Sequence, residues 1–199
     1  MSGIYHHAEI AAAPGAPLLF LFHGTGGDET DLIGLGGQVL PGAHLVAPRG
    51  DVSENGARRF FRRTGEGVYD MADLARATAS MAAFIAARTA AIAPSRVAAL
   101  GYSNGANILA SVLFTQPGRI DRAVLMHPLI PFDPAPQPGL AGRQVLITAG
   151  RRDPICPPAQ TERLAGWFEA QGAAVTRFWH EGGHEMRQEE VLAVRDFLQ

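Results

Sequence analysis

Val97-Ala98-Ala99-Leu100-Gly101-Tyr102-Ser103-Asn104-Gly105-Ala106-Asn107, followed by Ile108-Leu109-Ala110-Ser111-Val112-Leu113-Phe114, decides the fold. Val97 to Leu100 is an unbroken apolar run and reads as a buried strand, while residues 108–114 continue with helical spacing. Between them stands Gly-x-Ser-x-Gly at positions 101–105. Strand, sharp turn and helix in that order is the setting in which this pattern forms a nucleophile elbow. Glycine is required at 101 and 105 because a side chain at either place would clash as the chain doubles back. Ser103 is then pushed out of the turn, its hydroxyl above a helix N-terminus that favours developing negative charge. The bland alternative is a solvated serine in an ordinary turn, and the flanking elements weigh against it.

On the N-terminal side, Pro17 to Phe22 is a fully apolar stretch of the kind that forms a parallel strand covered on both faces. It leads into His23-Gly24-Thr25-Gly26-Gly27-Asp28-Glu29, whose glycines leave backbone N–H groups free to face an anion. The spacing argues against a dinucleotide loop. After Gly24 and Gly26 the third glycine position holds Glu29, and after Gly34 and Gly36 it holds Val39. Residues 1–16 suggest only an edge strand around Ile4 to Ile10, with His6 and His7 exposed on opposite sides. Asp28 to Leu40 is expected as a short helix and His44 to Pro48 as the next strand. Residues 51–69 read as a long connection without periodicity, and Asp70 and Asp73 then open an Ala-rich helix to about Ala91.

On the C-terminal side, Ala123 to Met126 is a further buried strand that ends in His127-Pro128-Leu129-Ile130. A proline-rich loop leads to a strand at Gln144 to Ala149, with Gly150-Arg151-Arg152-Asp153-Pro154 directly after it. A helix at Pro158 to Gln171, a strand at Ala174 to Trp179, the loop Glu181 to His184 and a last helix follow. Strands alternating with helices predict one α/β domain over 1–199, with a mostly parallel, twisted sheet and helices on both faces. Ligands of such sheets bind beyond the C-terminal strand ends, where every unusual motif of this chain falls.

Composition narrows the function classes. The 199 residues carry a net charge of −2, which suggests neither nucleic acid nor an acidic membrane as partner. All 17 basic residues are arginine, so a P-loop, a Schiff-base enzyme and a Ser-Lys dyad are excluded. Cys156 is the single cysteine, which leaves no internal disulfide and no cysteine-based metal site. The N-terminus has no basic leader region, and the Leu18 to Phe22 run is too short for a membrane span. A cytoplasmic protein is the expectation.

A nucleophilic Ser103 needs a base and an orienting acid, which in α/β-hydrolases follow in the order Ser, Asp or Glu, His. Asp153 closes a strand and Pro154 fixes the turn behind it; His184 sits in a Gly-Gly loop after the final strand. His180 is the competing histidine, but its place at the strand end suits packing, whereas the glycines let His184 fold over the site. His23 is expected to support the glycine-rich loop through a hydrogen bond.

Leu-Phe-His-Gly-Thr-Gly-Gly-Asp-Glu, Gly-Tyr-Ser-Asn-Gly-Ala, Ala-Gly-Arg-Arg-Asp-Pro-Ile and Gly-Gly-His together resemble the phospholipase/carboxylesterase family of α/β-hydrolases. Arg-Arg-Phe-Phe-Arg-Arg to Glu66-Gly67-Val68-Tyr69-Asp70 is similar to its small bacterial carboxylesterase branch, which is related to acyl-protein thioesterases. The resemblance implies an α/β-hydrolase fold without a cap domain, with Ser103 as nucleophile, Asp153 as acid and His184 as base. It also implies Thr25 and Asn104 backbone N–H groups as oxyanion donors, no metal or cofactor, a small-molecule ester substrate and a homodimer. Serine in the elbow disfavours a cysteine-based dienelactone hydrolase. The competing readings are a thioesterase or lysophospholipase-like activity, acyl transfer on the same triad, and a catalytically silent binding protein.

Phe60 and Phe61 are the candidate pocket residues, because two adjacent exposed phenylalanines would be costly. At least one is expected to wall the pocket, with Leu129 and Ile155 as further substrate contacts. The flanking arginines are expected to pair with Asp51, Glu54 or Glu66.

Overall fold

The structure, a computed structural model, describes residues 5–65 and 67–199. Its centre is a seven-stranded sheet. The strands are β1 (His7–Ile10), β2 (Leu18–Phe22), β3 (His44–Pro48), β8 (Val97–Tyr102), β9 (Arg122–Met126), β10 (Gln144–Gly150) and β11 (Ala174–His180). Across the sheet they stand in the order β1-β3-β2-β8-β9-β10-β11. Only β1 is antiparallel, paired with β3 at the edge; the other neighbours are parallel. All five residues of β2 are buried, as a strand covered on both faces requires. Its alternate side chains separate by face. Leu18, Phe20 and Phe22 join one core cluster, and Leu19 and Leu21 join the other.

Among the described residues five helices cover the sheet: α1 (Ile33–Val39), α2 (Met71–Ile92), α3 (Asn104–Thr115), α4 (Pro158–Ala170) and α5 (Gln188–Leu198). The first core cluster takes Met81 and Ile85 of α2, Ile108 and Leu109 of α3, and Leu164 and Phe168 of α4. The second takes Val39 of α1 with Val194 and Leu198 of α5. Each large apolar side chain so buried contributes about 1.5–3 kcal/mol. Asp70 caps α2 by accepting a hydrogen bond from the Asp73 N–H at 3.0 Å, as the sequence suggested. Among the described residues no helix is long and apolar enough to cross a membrane.

Three expectations are corrected. The helix expected over residues 28–40 begins only at Ile33, because Asp28 accepts from both the N–H and the hydroxyl of Thr30 and holds a turn instead. The first edge strand begins at His7, and Ile4 lies outside the described residues. Residues 51–69 are ordered into two hairpins, β4 (Val52–Glu54) with β5 (Ala57–Arg59), and β6 (Arg63–Gly65) with β7 (Val68–Tyr69). The first turns through Asn55 and Gly56 at φ 52° and 88°, the positive pair that a two-residue hairpin loop needs.

Candidate active site

The sharp turn expected between β8 and α3 is present, and it is strained at the serine. Ser103 has φ 53° and ψ −115°, a conformation a non-glycine residue adopts only under constraint. The constraint comes from the glycines. A Cβ on Gly101 would lie 2.4 Å from the Gly105 carbonyl oxygen, and one on Gly105 would lie 2.0 Å from that of Phe22. The Ser103 N–H donates to the Met126 carbonyl at 2.9 Å, which ties the turn to β9.

Two loops from neighbouring strand ends complete the site. Ser103 Oγ lies 2.9 Å from His184 Nε2, and His184 Nδ1 lies 2.7 Å from Asp153 Oδ2. Asp153 Oδ1 accepts from the Ile155 and Cys156 N–H groups at 2.8 and 2.9 Å. Burial would raise the Asp153 carboxyl, but hydrogen bonds from His127, His184 and the Cys156 N–H hold it well below the usual carboxylate range. Tyr102 fixes the histidine loop by donating its hydroxyl to the His184 carbonyl at 2.6 Å. His180 does not reach Ser103. Its Nδ1 accepts the Gly182 N–H at 3.0 Å, so it braces the turn that presents His184.

Thr25 and Asn104 both border the cavity that holds Ser103. The Thr25 hydroxyl accepts from Arg59 Nη1 at 2.7 Å, and Asn104 Oδ1 accepts the Phe60 N–H at 2.8 Å. His23 Nδ1 donates to the Gly24 carbonyl at 2.7 Å while its Nε2 accepts the Gly50 N–H at 2.9 Å. Both nitrogens are thereby used in one neutral tautomer, and burial lowers the His23 pKa in the same direction. The expected support of the glycine-rich loop is present.

The cavity has a volume of about 580 Å³, and Leu129 and Ile155 line it together with Arg59, Arg63 and Tyr69. Phe60 and Phe61 do not, and the pocket-wall expectation is corrected. Both are fully buried in the core, Phe60 against Phe22 and His23 and Phe61 against Tyr69, because the chain leaving β5 turns inward. Phe60→Ala or Phe61→Ala is therefore expected to cost about 3–5 kcal/mol of stability rather than reshape substrate choice. Urea unfolding measures it; an unchanged midpoint with an altered substrate profile would restore the wall reading.

The arginine pairing is as expected for Glu54, which takes Arg63 at 2.9 Å and Arg59 at 3.3 Å. Asp51 instead pairs with Arg76, Arg62 reaches Asp73 and Asp70, and Glu66 lies outside the described residues. Cys156 is buried with its thiol donating to the His127 carbonyl, and burial pushes its pKa up, the reverse of what a thiolate nucleophile needs.

Two residues in contact with this group carried no assigned role from the sequence. His127, fully buried, places Nδ1 2.9 Å from Asp153 Oδ2, the atom that also faces His184. Glu190 of α5, also fully buried, lies 3.2 Å from His127 Nε2. The place of His127 at a strand end beside Pro128 was a readable signal; Glu190 offered none. His127, His180 and Glu190 are close enough to share a metal ion. Their hydrogen bonds oppose it, since His180 Nδ1 accepts an N–H and its inward-facing Nε2 must carry the proton.

A strained serine on the β8–α3 turn of a parallel sheet, facing a histidine and an aspartate from later strand ends, defines an α/β-hydrolase. The chain belongs to the dienelactone hydrolase family, whose sequence profile matches residues 53–190. MhqD of Bacillus subtilis, a hydrolase by assignment, is 43% identical over 182 residues, covering 90% of this chain and 91% of its own. Among solved structures, Atu2452 from Agrobacterium tumefaciens, of unknown function, is 55% identical with TM-score 0.91, over 98% of this chain and 95% of its own. The carboxylesterase of Bacillus cereus is 39% identical with TM-score 0.90, over 97% of this chain and 92% of its own. The protein is thus a hydrolase of the esterase type, in keeping with the carboxylesterase resemblance of its motifs. Its elbow holds serine, not the cysteine of a cysteine-based dienelactone hydrolase.

Proposed function

We propose that the protein is a serine carboxylesterase that hydrolyses small carboxylic esters through an acyl-enzyme on Ser103. The observation that carries this reading is the hydrogen-bonded line from Ser103 through His184 to Asp153 beside a solvent-reachable cavity. His184 Nε2 takes the serine proton as Oγ attacks the ester carbonyl, while Asp153 holds the imidazole with Nδ1–H towards it. The backbone N–H groups of Thr25 and Asn104 receive the oxyanion, and one such donor is worth roughly 3 kcal/mol. His184 returns the proton to the leaving alcohol, and water then releases the acid by the same route. Intact-mass analysis after a fluorophosphonate probe tests it: a single adduct is expected, absent in Ser103→Ala. An unlabelled wild-type protein would favour a silent binding protein.

The cavity wall supports short substrates. Arg59 and Arg63 share the single carboxylate of Glu54, so a net positive charge borders the space beside Ser103 where Phe60 or Phe61 was expected. A long acyl chain gains about 0.8 kcal/mol per methylene only where it meets apolar surface. The expected p-nitrophenyl ester profile has its highest kcat/KM between about C2 and C6. A profile that rises steadily to C12 would overturn the small-ester reading and favour the lysophospholipase-like alternative.

A further inference from the structure

Asp153 is held by two histidines. Its Oδ2 faces His184 Nδ1 at 2.7 Å and His127 Nδ1 at 2.9 Å. The far nitrogen of His127 faces a second buried carboxylate, Glu190 Oε1, at 3.2 Å. Both side chains of that pair are fully buried, and the second oxygen of Glu190 accepts the Arg187 backbone N–H at 3.2 Å, with His180 Nε2 further off at 3.8 Å. We propose that His127 is a positioning residue for the triad acid: protonated on both nitrogens, it bridges Glu190 and Asp153 and fixes the carboxylate that orients His184. This rests on the proposed chemistry at Ser103.

The argument is one of proton and charge balance. A neutral imidazole has one N–H and can donate to only one of the two carboxylates. Asp153 would keep three other donors, but Glu190 would keep only the Arg187 N–H and the longer His180 contact, a costly arrangement for a buried charge. Among the described residues no arginine pairs with Asp153, His127 or Glu190. The groups that face His127 are Asp153 and Cys156 after β10, His180 on β11, His184 beyond it, Glu190 on α5 and Tyr102 on β8. Of these, His180 donates no charge, since its Nδ1 accepts an N–H; its Nε2–H lies 3.4 Å from His127 Nε2 and 3.8 Å from Glu190, and beside a doubly protonated His127 it must point to Glu190. Burial would lower the His127 pKa, but the carboxylates of Asp153 and Glu190 beside it raise it to about 9. Asp153, His127 and Glu190 then sum to one negative charge, the same net charge that a lone aspartate brings.

His127 is also held rigidly enough to position a partner. It sits at φ 51°, its N–H donates to the Thr148 carbonyl at 2.8 Å, and its carbonyl accepts the Cys156 thiol at 3.2 Å. Asp153 therefore receives four hydrogen bonds, two on each oxygen, and cannot rotate without breaking one.

Long-range ¹H–¹⁵N spectra of the ¹⁵N-histidine-labelled wild-type protein at pH 7.5 test the protonation. One histidine is expected with both nitrogens protonated, lost in His127→Asn and turned neutral in Glu190→Gln. A neutral His127 in the wild type would overturn the proposal, whatever the variants do. Kinetics test the positioning. His127→Asn strands Glu190 and is expected to lower kcat by about 10- to 100-fold with KM within about twofold. Adding Glu190→Gln removes the stranded carboxylate, and the introduced amide stands where the imidazole Nδ1 stood, so kcat should return to within about fivefold of wild type. His127→Ala with Glu190→Gln strands no charge but offers Asp153 no donor, and its kcat should stay low. Equal kcat in the two double variants would overturn the proposal. Wild-type protein that hydrolyses no ester and takes no fluorophosphonate would instead remove the proposed function.

Discussion

Ser103→Ala is expected to lower kcat for ester hydrolysis by at least about 10³-fold while the fold persists. The Ser103 hydroxyl makes one hydrogen bond, to His184 Nε2, and the turn is tied to β9 through the backbone N–H, which alanine keeps. Alanine also carries the same Cβ into the φ 53° conformation, so the strain of the elbow is unchanged. What remains after the substitution is the pair of backbone donors and a histidine able to activate water, which gives only residual catalysis. KM should change little, because the groups that bind the ester are still present. Steady-state kinetics with a short p-nitrophenyl ester, together with a thermal unfolding curve, measures both halves. A folded variant that keeps more than a tenth of wild-type kcat would end the role assigned to Ser103.

The sheet and the elbow were legible because local and global requirements coincide there. Leu18 to Phe22 can be nothing but a covered strand, and Gly101 and Gly105 are both forced by backbone contacts that only a strand-turn-helix crossing creates. Asp153 and His184 were legible from their places at strand ends, since side chains there converge whatever the loops do. The 51–69 segment was not, although Asn55-Gly56 is a strong hairpin signal. Its flanking strands are three residues each, too short to show an alternating pattern. Phe60 and Phe61 were misjudged because a pair of phenylalanines is compatible with a pocket or a core, and only the inward turn after β5 selects the core. Glu190 was invisible for a different reason. A glutamate at the third position of a helix reads as a capping residue, which it also is, through the Arg187 N–H. That it doubles as the buried partner of a histidine 63 positions away depends on α5 packing under β10 and β11, a tertiary fact without a local trace.

Asp153→Asn is the substitution for which the surroundings make the most specific forecast, a loss of about 10⁴-fold in kcat with little change in the heavy-atom arrangement. An asparagine here cannot choose its orientation. The Oδ1 position receives the Ile155 and Cys156 N–H groups, so the amide oxygen must lie there, and the NH₂ takes the place of Oδ2. That NH₂ then faces the two imidazole Nδ1 atoms that Oδ2 had joined at 2.7 and 2.9 Å. His184 can accept from it only by carrying its own proton on Nε2, which turns an N–H towards Ser103 Oγ and leaves nothing to take the serine proton. Stability should respond to pH as well. The Asp153 carboxyl lies well below the usual range in the folded protein, so between its folded and unfolded values the unfolded chain binds the extra proton. Its contribution is fully present above the ordinary aspartate pKa of about 3.9 and is lost as the pH falls below that. Wild-type protein should therefore lose stability below about pH 4 more steeply than Asp153→Asn, which has no carboxyl to protonate. Single-turnover kinetics at pH 7.5 and urea titrations from pH 3 to 7 read the two effects. An Asp153→Asn enzyme with kcat within tenfold of wild type would show that His184 does not depend on this carboxylate for its orientation.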